Sequence, residues 1–288
     1  MTRGELIAEL AASLGARHEA RFIVEEVLGS TPSFGGQAVS TAEVDAARSL
    51  AALRLSGEPL QYVLGHWAFR SLDLLVDDRV LIPRPETEQV VEVALGEVRR
   101  LAAAPIIVDA GTGSGAIALS MATELADRCP EGRLWATDAS AEALAVARAN
   151  LDRVRRQHRG HVLPVTLAQG SWLTPLPPAL TGQVDLIVAN PPYVAVETWP
   201  DLPEVVRREP RGALVAGPGT DGTPGLGEVE EVLCQARMWL SRPGAVVIEL
   251  APQQREAAVA MARRMGYVEV GVERDLARRP RTLVGRVR

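Results

Sequence analysis

At 288 residues, 47% of them hydrophobic, the chain is long enough to bury the cores of two domains. A net charge of −5 argues against a protein built mainly to grip duplex nucleic acid, which would carry a basic domain. No apolar run approaches the roughly 18 residues that span a bilayer, and Glu5 and Glu9 interrupt the apolar periodicity of the first residues, which excludes an ordinary signal peptide. Cys129 and Cys234 stand far apart with no metal-ligand or disulfide spacing, so a cytoplasmic protein without a metal site is expected.

In chain order, Leu6, Leu10 and Leu14 recur at helical spacing, and Ile23, Val27 and Leu28 repeat it up to Gly29. Ser30 to Ser40, rich in Gly, Ser and Pro, reads as a loop. Ser40 and Glu43 form a capping-box pattern that opens a third helix, which should stop before Gly57 and Pro59. Trp67, Phe69, Leu72, Leu74 and Val76 alternate as strands do and predict a hairpin linker. These features divide the chain into a helical domain over residues 1–75, with no catalytic constellation, and a second domain over 76–288. The second domain alternates strand and helix, with strands expected at Ile106–Ala110, Arg133–Asp138, Val162–Ala168, Val184–Ala189, Ala245–Leu250, Tyr267–Glu273 and Thr282–Val287. Seven strands with intervening helices predict one doubly wound α/β domain with a mostly parallel sheet. Between the second and third strands Arg153, Arg155, Arg156 and Arg159 cluster, a pattern more usual for a solvated helix face than for a nucleic-acid grip.

The first strand runs into Asp109, Gly111, Thr112, Gly113, Ser114 and Gly115, ahead of an apolar helical segment. Strand, glycine-rich turn and helix is the layout in which backbone approaches a nucleotide-like ligand. Gly111, Gly113 and Ala116 also satisfy the relaxed dinucleotide pattern, which keeps a dehydrogenase-type binder open. Two features favour S-adenosyl-L-methionine: Asp109 places a carboxylate suited to the cationic end of a sulfonium amino acid, and Gly115 lets that end lie against backbone. Asp138 ends the next strand at the interval expected of a ribose-binding carboxylate. Ser140 can cap the following helix and so leave Asp138 to the ligand.

Asn190, Pro191, Pro192 and Tyr193 follow the buried-strand pattern of residues 184–189. The Asn190 side-chain oxygen and the Pro191 carbonyl can accept both hydrogens of one NH2 group, while the two prolines remove competing donors. Tyr193 can lay a ring on a planar group held there. A rigid turn that merely closes the strand is the plainer alternative.

Together Asn190–Tyr193, Asp109–Gly115 and the segment Leu81-Ile82-Pro83-Arg84-Pro85-Glu86-Thr87-Glu88 resemble the peptide chain release factor glutamine methyltransferases. The resemblance extends to Glu58–Gly65 and Glu209–Leu214. It implies a Rossmann-like class I methyltransferase fold whose last strand runs antiparallel, S-adenosyl-L-methionine as methyl donor, and a release factor as protein partner recognised by the helical domain. It further implies that Asp109, Gly111 to Gly115, Asp138, Trp172 and Asn190 hold the donor, and that Asn190 to Tyr193 hold a substrate glutamine whose amide nitrogen attacks the sulfonium methyl directly and displaces the thioether sulfur. The tetrapeptide alone is shared with nucleic-acid amino-methyltransferases, and the family has a relative acting on a ribosomal protein, so both stay open as alternatives. One departure stands out: the family pattern implies an acidic residue before Trp172, where this chain has Ser171. Residues 217–225, rich in Gly, Pro and Thr, form a loop expected near the catalytic turn.

Overall fold

The computed structural model describes residues 1–29, 38–101 and 103–288. The loop expected over Ser30–Ser40 falls mostly on residues 30–37, outside the described residues. Four helices open the chain: α1 (Arg3–Leu14), α2 (Arg17–Leu28), α3 (Thr41–Leu55) and α4 (Leu60–Leu64). Capping boxes start α1 at Thr2 and Glu5 and, as the sequence indicates, α3 at Ser40 and Glu43. Leu6, Leu10, Ile23, Val24, Val44 and Ala47 pack into one core with Leu60 of α4. Helix α4 is a five-residue turn between Pro59 and Gly65, too short to leave a periodicity in the sequence.

Strands β1 (His66–Phe69) and β2 (Leu72–Leu75) form the antiparallel hairpin that the alternation predicts. Its Phe69, Leu72 and Leu74 are buried with α5 (Pro85–Val98) in a core of the sheet domain. Trp67 instead meets Phe22 of α2 edge to face, ring centroids 5.7 Å apart. The hairpin therefore joins the two parts through one apolar face, on which Trp67 and Leu74 are cross-strand partners.

The large sheet contains β3 (Ile106–Ala110), β4 (Arg133–Asp138), β5 (Val165–Gln169), β6 (Val184–Ala189), β9 (Leu240–Glu249), β10 (Glu269–Arg274) and β11 (Pro280–Val287). Between β6 and β9 lie a two-residue parallel pair, β7 (Val194–Ala195) and β8 (Val215–Ala216), and the short α8 (Glu204–Arg207). The order β10-β11-β9-β6-β3-β4-β5 places β11 antiparallel between β9 and β10, while β3, β4, β5, β6 and β9 run parallel. Four strand starts differ from expectation, the last being β11, which begins at Pro280, where it pairs with Arg274. β5 begins after Pro164, which has no N–H for the ladder. β9 begins at Leu240, where it pairs with Val184. β10 begins two residues late because Tyr267 turns inward and donates to the Leu233 carbonyl at 2.8 Å.

Helices α6 (Ala116–Glu124) and α7 (Ala141–Gln157) join the α5 side of the sheet, and α9 (Gly227–Trp239) and α10 (Arg255–Arg264) cover the other, each face closing over its own core. Arg153 of the basic cluster on α7 pairs with Asp73 of the hairpin. Among the described residues no helix is long and apolar enough to cross a membrane. The carboxyl ends of β3, β4, β6 and β9 meet at one edge, where open α/β sheets bind ligands.

Candidate active site

A cavity of about 520 Å³ opens at that edge, within the range of roughly 300–1,000 Å³ usual for small-molecule pockets. The turn Gly111, Thr112, Gly113 and Ser114 forms one wall, and Asp138, Trp172 and Asn190 face it from three other loops. Gly111 has φ of 78°, and a Cβ there would stand 2.8 Å from the Trp172 ring, so the turn needs glycine to lie against that wall. The Asp138 carboxylate accepts from Gly113 N at 2.8 Å and from Ser140 N at 2.9 Å. Ser140 caps α7 through Ala143 N, as expected. Asp138 thus keeps further lone pairs for a ligand while its two backbone bonds fix its direction. A chamber of this size, lined by a backbone turn, a fixed carboxylate and an indole, suits S-adenosyl-L-methionine.

Asp109 and Gly115 correct the expectation that both touch the donor. Neither lines the cavity. Asp109 is fully buried, and its Oδ2 accepts from Thr112 Oγ1 at 2.6 Å and Ala118 N at 3.0 Å, tying the turn to α6. Its Oδ1 is buried without a partner, and burial pushes the carboxyl up to about 7 against those two bonds. Gly115 faces Leu119 and Ala147, so its missing Cβ serves helix packing.

Trp172 adopts a left-handed φ of 49°, held by its carbonyl accepting from Thr137 Oγ1 at 2.6 Å and its indole N–H donating to Glu228 at 3.0 Å. Glu228, in the first turn of α9, lines the cavity with Ser171. A carboxylate thus reaches the cavity beside Ser171 from a distant element, which no local pattern indicates.

On the opposite side Asn190 and Pro192 line the cavity, Pro191 is buried, and the Tyr193 phenol turns away to Glu249 Oε1 at 3.2 Å. Burial, then the Glu249 charge, raises the pKa of that phenol, which stays protonated and donates. Thr87 and Glu249 escaped the sequence reading as site residues. Asn190 Nδ2 donates to Thr87 Oγ1 at 3.2 Å, and Thr87 donates to Glu249 Oε2 at 2.7 Å. The loop over 217–225 does lie against this turn: Gln254 Nε2 bridges the Tyr193 and Pro224 carbonyls, and a Cβ on Gly225 would come within 2.4 Å of the Tyr193 oxygen.

A family model described as the PrmC N-terminal domain matches residues 4–65, and one described as the methyltransferase small domain matches residues 97–202. The chain is 40% identical over 277 residues to the release factor glutamine methyltransferase of Bordetella pertussis, covering 94% of this chain and 96% of that one. It belongs to the release factor glutamine methyltransferase family. A member from Salmonella typhimurium is 34% identical over 98% of this chain and 96% of its own, and the MTRF1L release factor glutamine methyltransferase of Homo sapiens is 34% identical over 93% and 80%. A solved methyltransferase from Pyrococcus furiosus, 17% identical, superposes with a TM-score of 0.52 over 84% of this chain and 97% of that one, a likeness of fold.

In this member of the release factor glutamine methyltransferase family, the segments that carry the sequence resemblance are clamped together around the cavity. Glu209, buried, accepts from Ile82 N at 3.0 Å and pairs with Arg84. Tyr62 of α4 donates to the carbonyl of Val80, a cavity residue, at 2.5 Å. Asn150 of α7 is fully buried and bonds Leu75 N, the Leu75 carbonyl and the Ser114 carbonyl, which joins hairpin to donor turn.

Proposed function

We propose that this chain transfers a methyl group from S-adenosyl-L-methionine to the side-chain amide nitrogen of the glutamine in the Gly-Gly-Gln motif of a peptide chain release factor, and that it does so in the cytoplasm. The observation that carries the reading is that Asn190 and the glycine turn at 111–114 face one cavity, so an amide held by the first meets a donor held by the second. Gly111, Thr112, Gly113, Ser114, Asp138 and Trp172 hold the donor, with Asp109 and Gly115 supporting them from behind. Glu228 supplies the acidic side chain that position 171 lacks. When bound, the donor supplies an electrophilic methyl group on a sulfonium sulfur.

A carboxamide nitrogen is a poor nucleophile because its lone pair is delocalised into the carbonyl. Asn190 Oδ1 and the Pro191 carbonyl accept its two hydrogens, aim the lone pair and stabilise the positive charge that grows on nitrogen. The proton becomes acidic only once that charge has formed, so no strong base has to act first. Tyr193, expected to lay its ring on the substrate amide, is instead anchored through its phenol to Glu249 behind the cavity and supports the turn from there. The helical part over residues 1–64, which offers no catalytic group, recognises the release factor, while the hairpin carries that part on the sheet domain.

The test is to supply the intact enzyme with methyl-labelled donor, a release factor and total RNA. Label on the glutamine, located by mass spectrometry, is the expected result. Label in RNA, or on a ribosomal protein supplied in parallel but not on the factor, would overturn the reading.

A further inference from the structure

The bonds behind Asn190 have a direction. Glu249 ends β9 at the ligand edge, fully buried. While Glu249 is ionised its carboxylate only accepts, and the Thr87 hydroxyl then gives its single proton to Glu249. The Thr87 oxygen is then left with lone pairs alone, and the amide group it can meet is the Asn190 nitrogen, not the oxygen. A side-chain amide has two nearly isosteric orientations, and nothing in its own shape chooses between them. Here the choice is made two residues away.

We propose that Glu249 is a positioning residue that acts through Thr87 to lock the Asn190 carboxamide with Oδ1 towards the substrate amide. The proposal rests on the methyltransferase reading of Asn190 and adds to it the device that sets the polarity of the site. The same carboxylate accepts from Tyr193, so one buried charge orders both polar members of the tetrapeptide. Turned over, Asn190 would present an NH2 group to a substrate NH2, donor against donor, and the amide could not be held.

The relay works only while Glu249 is ionised. Once protonated, Glu249 no longer obliges Thr87 to donate towards it, and the hydroxyl is released to donate to Asn190 Oδ1. The groups facing Glu249 are Thr87 and Glu86 from α5, Tyr193 from the turn after β6, and Arg281 from β11. Burial and Glu86 raise the Glu249 pKa, Thr87, Arg281 and Tyr193 oppose that, and the balance lies above the ordinary carboxylate value. Methyl transfer should accordingly fade on the acid side at a pH higher than an exposed glutamate would give.

The test compares single-turnover methylation of an intact release factor by wild type, Thr87→Val, Thr87→Ser and Glu249→Gln across pH, with donor affinity measured by calorimetry on each. Thr87→Val keeps shape and removes the relay, and is expected to lower the rate by at least about tenfold, the scale of a misplaced reacting group, with donor affinity retained. Thr87→Ser restores a hydroxyl and should recover most of that loss. The acid limb should be present in wild type and absent from Glu249→Gln. A Thr87→Val enzyme as fast as wild type, or an acid limb that survives Glu249→Gln, would overturn the relay while leaving the methyltransferase reading standing. A wild-type enzyme that leaves the factor unmethylated would remove that reading itself.

Discussion

Asn190 shows how much a single residue can be asked to do. Its nitrogen is tied to Thr87, and in the proposed mechanism its oxygen accepts from the substrate amide, so truncation removes both the acceptor and its anchor. Asn190→Ala should lower the methylation rate by roughly 10²-fold or more, the scale of losing one preorganised polar contact, with donor affinity much less affected. Asn190→Asp keeps an acceptor but brings a second carboxylate towards Glu249 and has no hydrogen to give Thr87, so it should be impaired with some activity left. Single-turnover mass spectrometry decides it, and a near-normal Ala variant would reduce Asn190 to a turn former. Asp109 carries a different expectation. Its carboxyl is raised from the ordinary value near 3.8 to about 7, so the folded state holds a proton that the unfolded chain has lost between those values. Stability therefore falls as pH rises through that window, and the urea-derived stability of wild type relative to Asp109→Asn should fall between pH 5 and 8. A constant difference would show that Asp109 is ionised throughout. Asp138 was legible from its interval beyond the glycine turn, Asn190 from the tetrapeptide that follows a strand pattern, and Trp172 from the family resemblance alone. Thr87, Glu228 and Glu249 were not, since each reaches the site from an element distant in sequence. Glu249 did leave one trace, a charged residue closing an otherwise apolar strand.

At the scale of elements, the strand interiors were readable from apolar runs, and the errors lie where a neighbour intervenes. Pro164 delays β5, and Leu240 starts β9 early because β6 offers it a partner. What periodicity could not show is how the hairpin, α7 and the donor turn are fastened. Asn150 does this with one side chain, spending its oxygen on Leu75 N at 2.7 Å and its nitrogen on the Leu75 carbonyl at 3.0 Å and the Ser114 carbonyl at 2.9 Å. From the sequence it is only the tenth residue of an amphipathic helix. Asn150→Ala would leave three backbone groups without their partner, and stranded buried groups cost about 1–3 kcal/mol each, so a loss of at least about 3 kcal/mol is expected. Because Ser114 belongs to the donor turn, donor affinity should fall with stability in this variant. Chemical denaturation and calorimetry on the same preparation check both, and unchanged donor affinity would show that the turn is held without α7.

The whole molecule places a helical bundle, which has its own core, beside a sheet domain that holds every group assigned to the chemistry, and one polar join between them passes through His66. The ring sits between Glu26 of α2 and Asp73 of β2, at 2.7 Å and 2.5 Å, while Arg153 of α7 pairs with the same Asp73. Burial by itself would lower the imidazole pKa, but the bonds to Glu26 and Asp73 outweigh it and the net shift is upward. The folded chain thus holds the proton more tightly than the unfolded one. The stabilisation is fully present below the ordinary value near 6.5 and is lost as pH rises through the raised one. His66→Gln keeps a polar side chain without the titrating charge. The melting temperature of wild type should exceed that of His66→Gln most at about pH 6, and the gap should narrow towards pH 8.5. The difference in donor affinity between the two proteins should stay level across the same range, since His66 lies outside the cavity. If the bundle recognises the release factor as proposed, the rate of methylation of an intact factor is the quantity that should follow the gap. A melting difference independent of pH would mean that His66 joins the two parts as a neutral ring and that their docking carries no electrostatic component at this point.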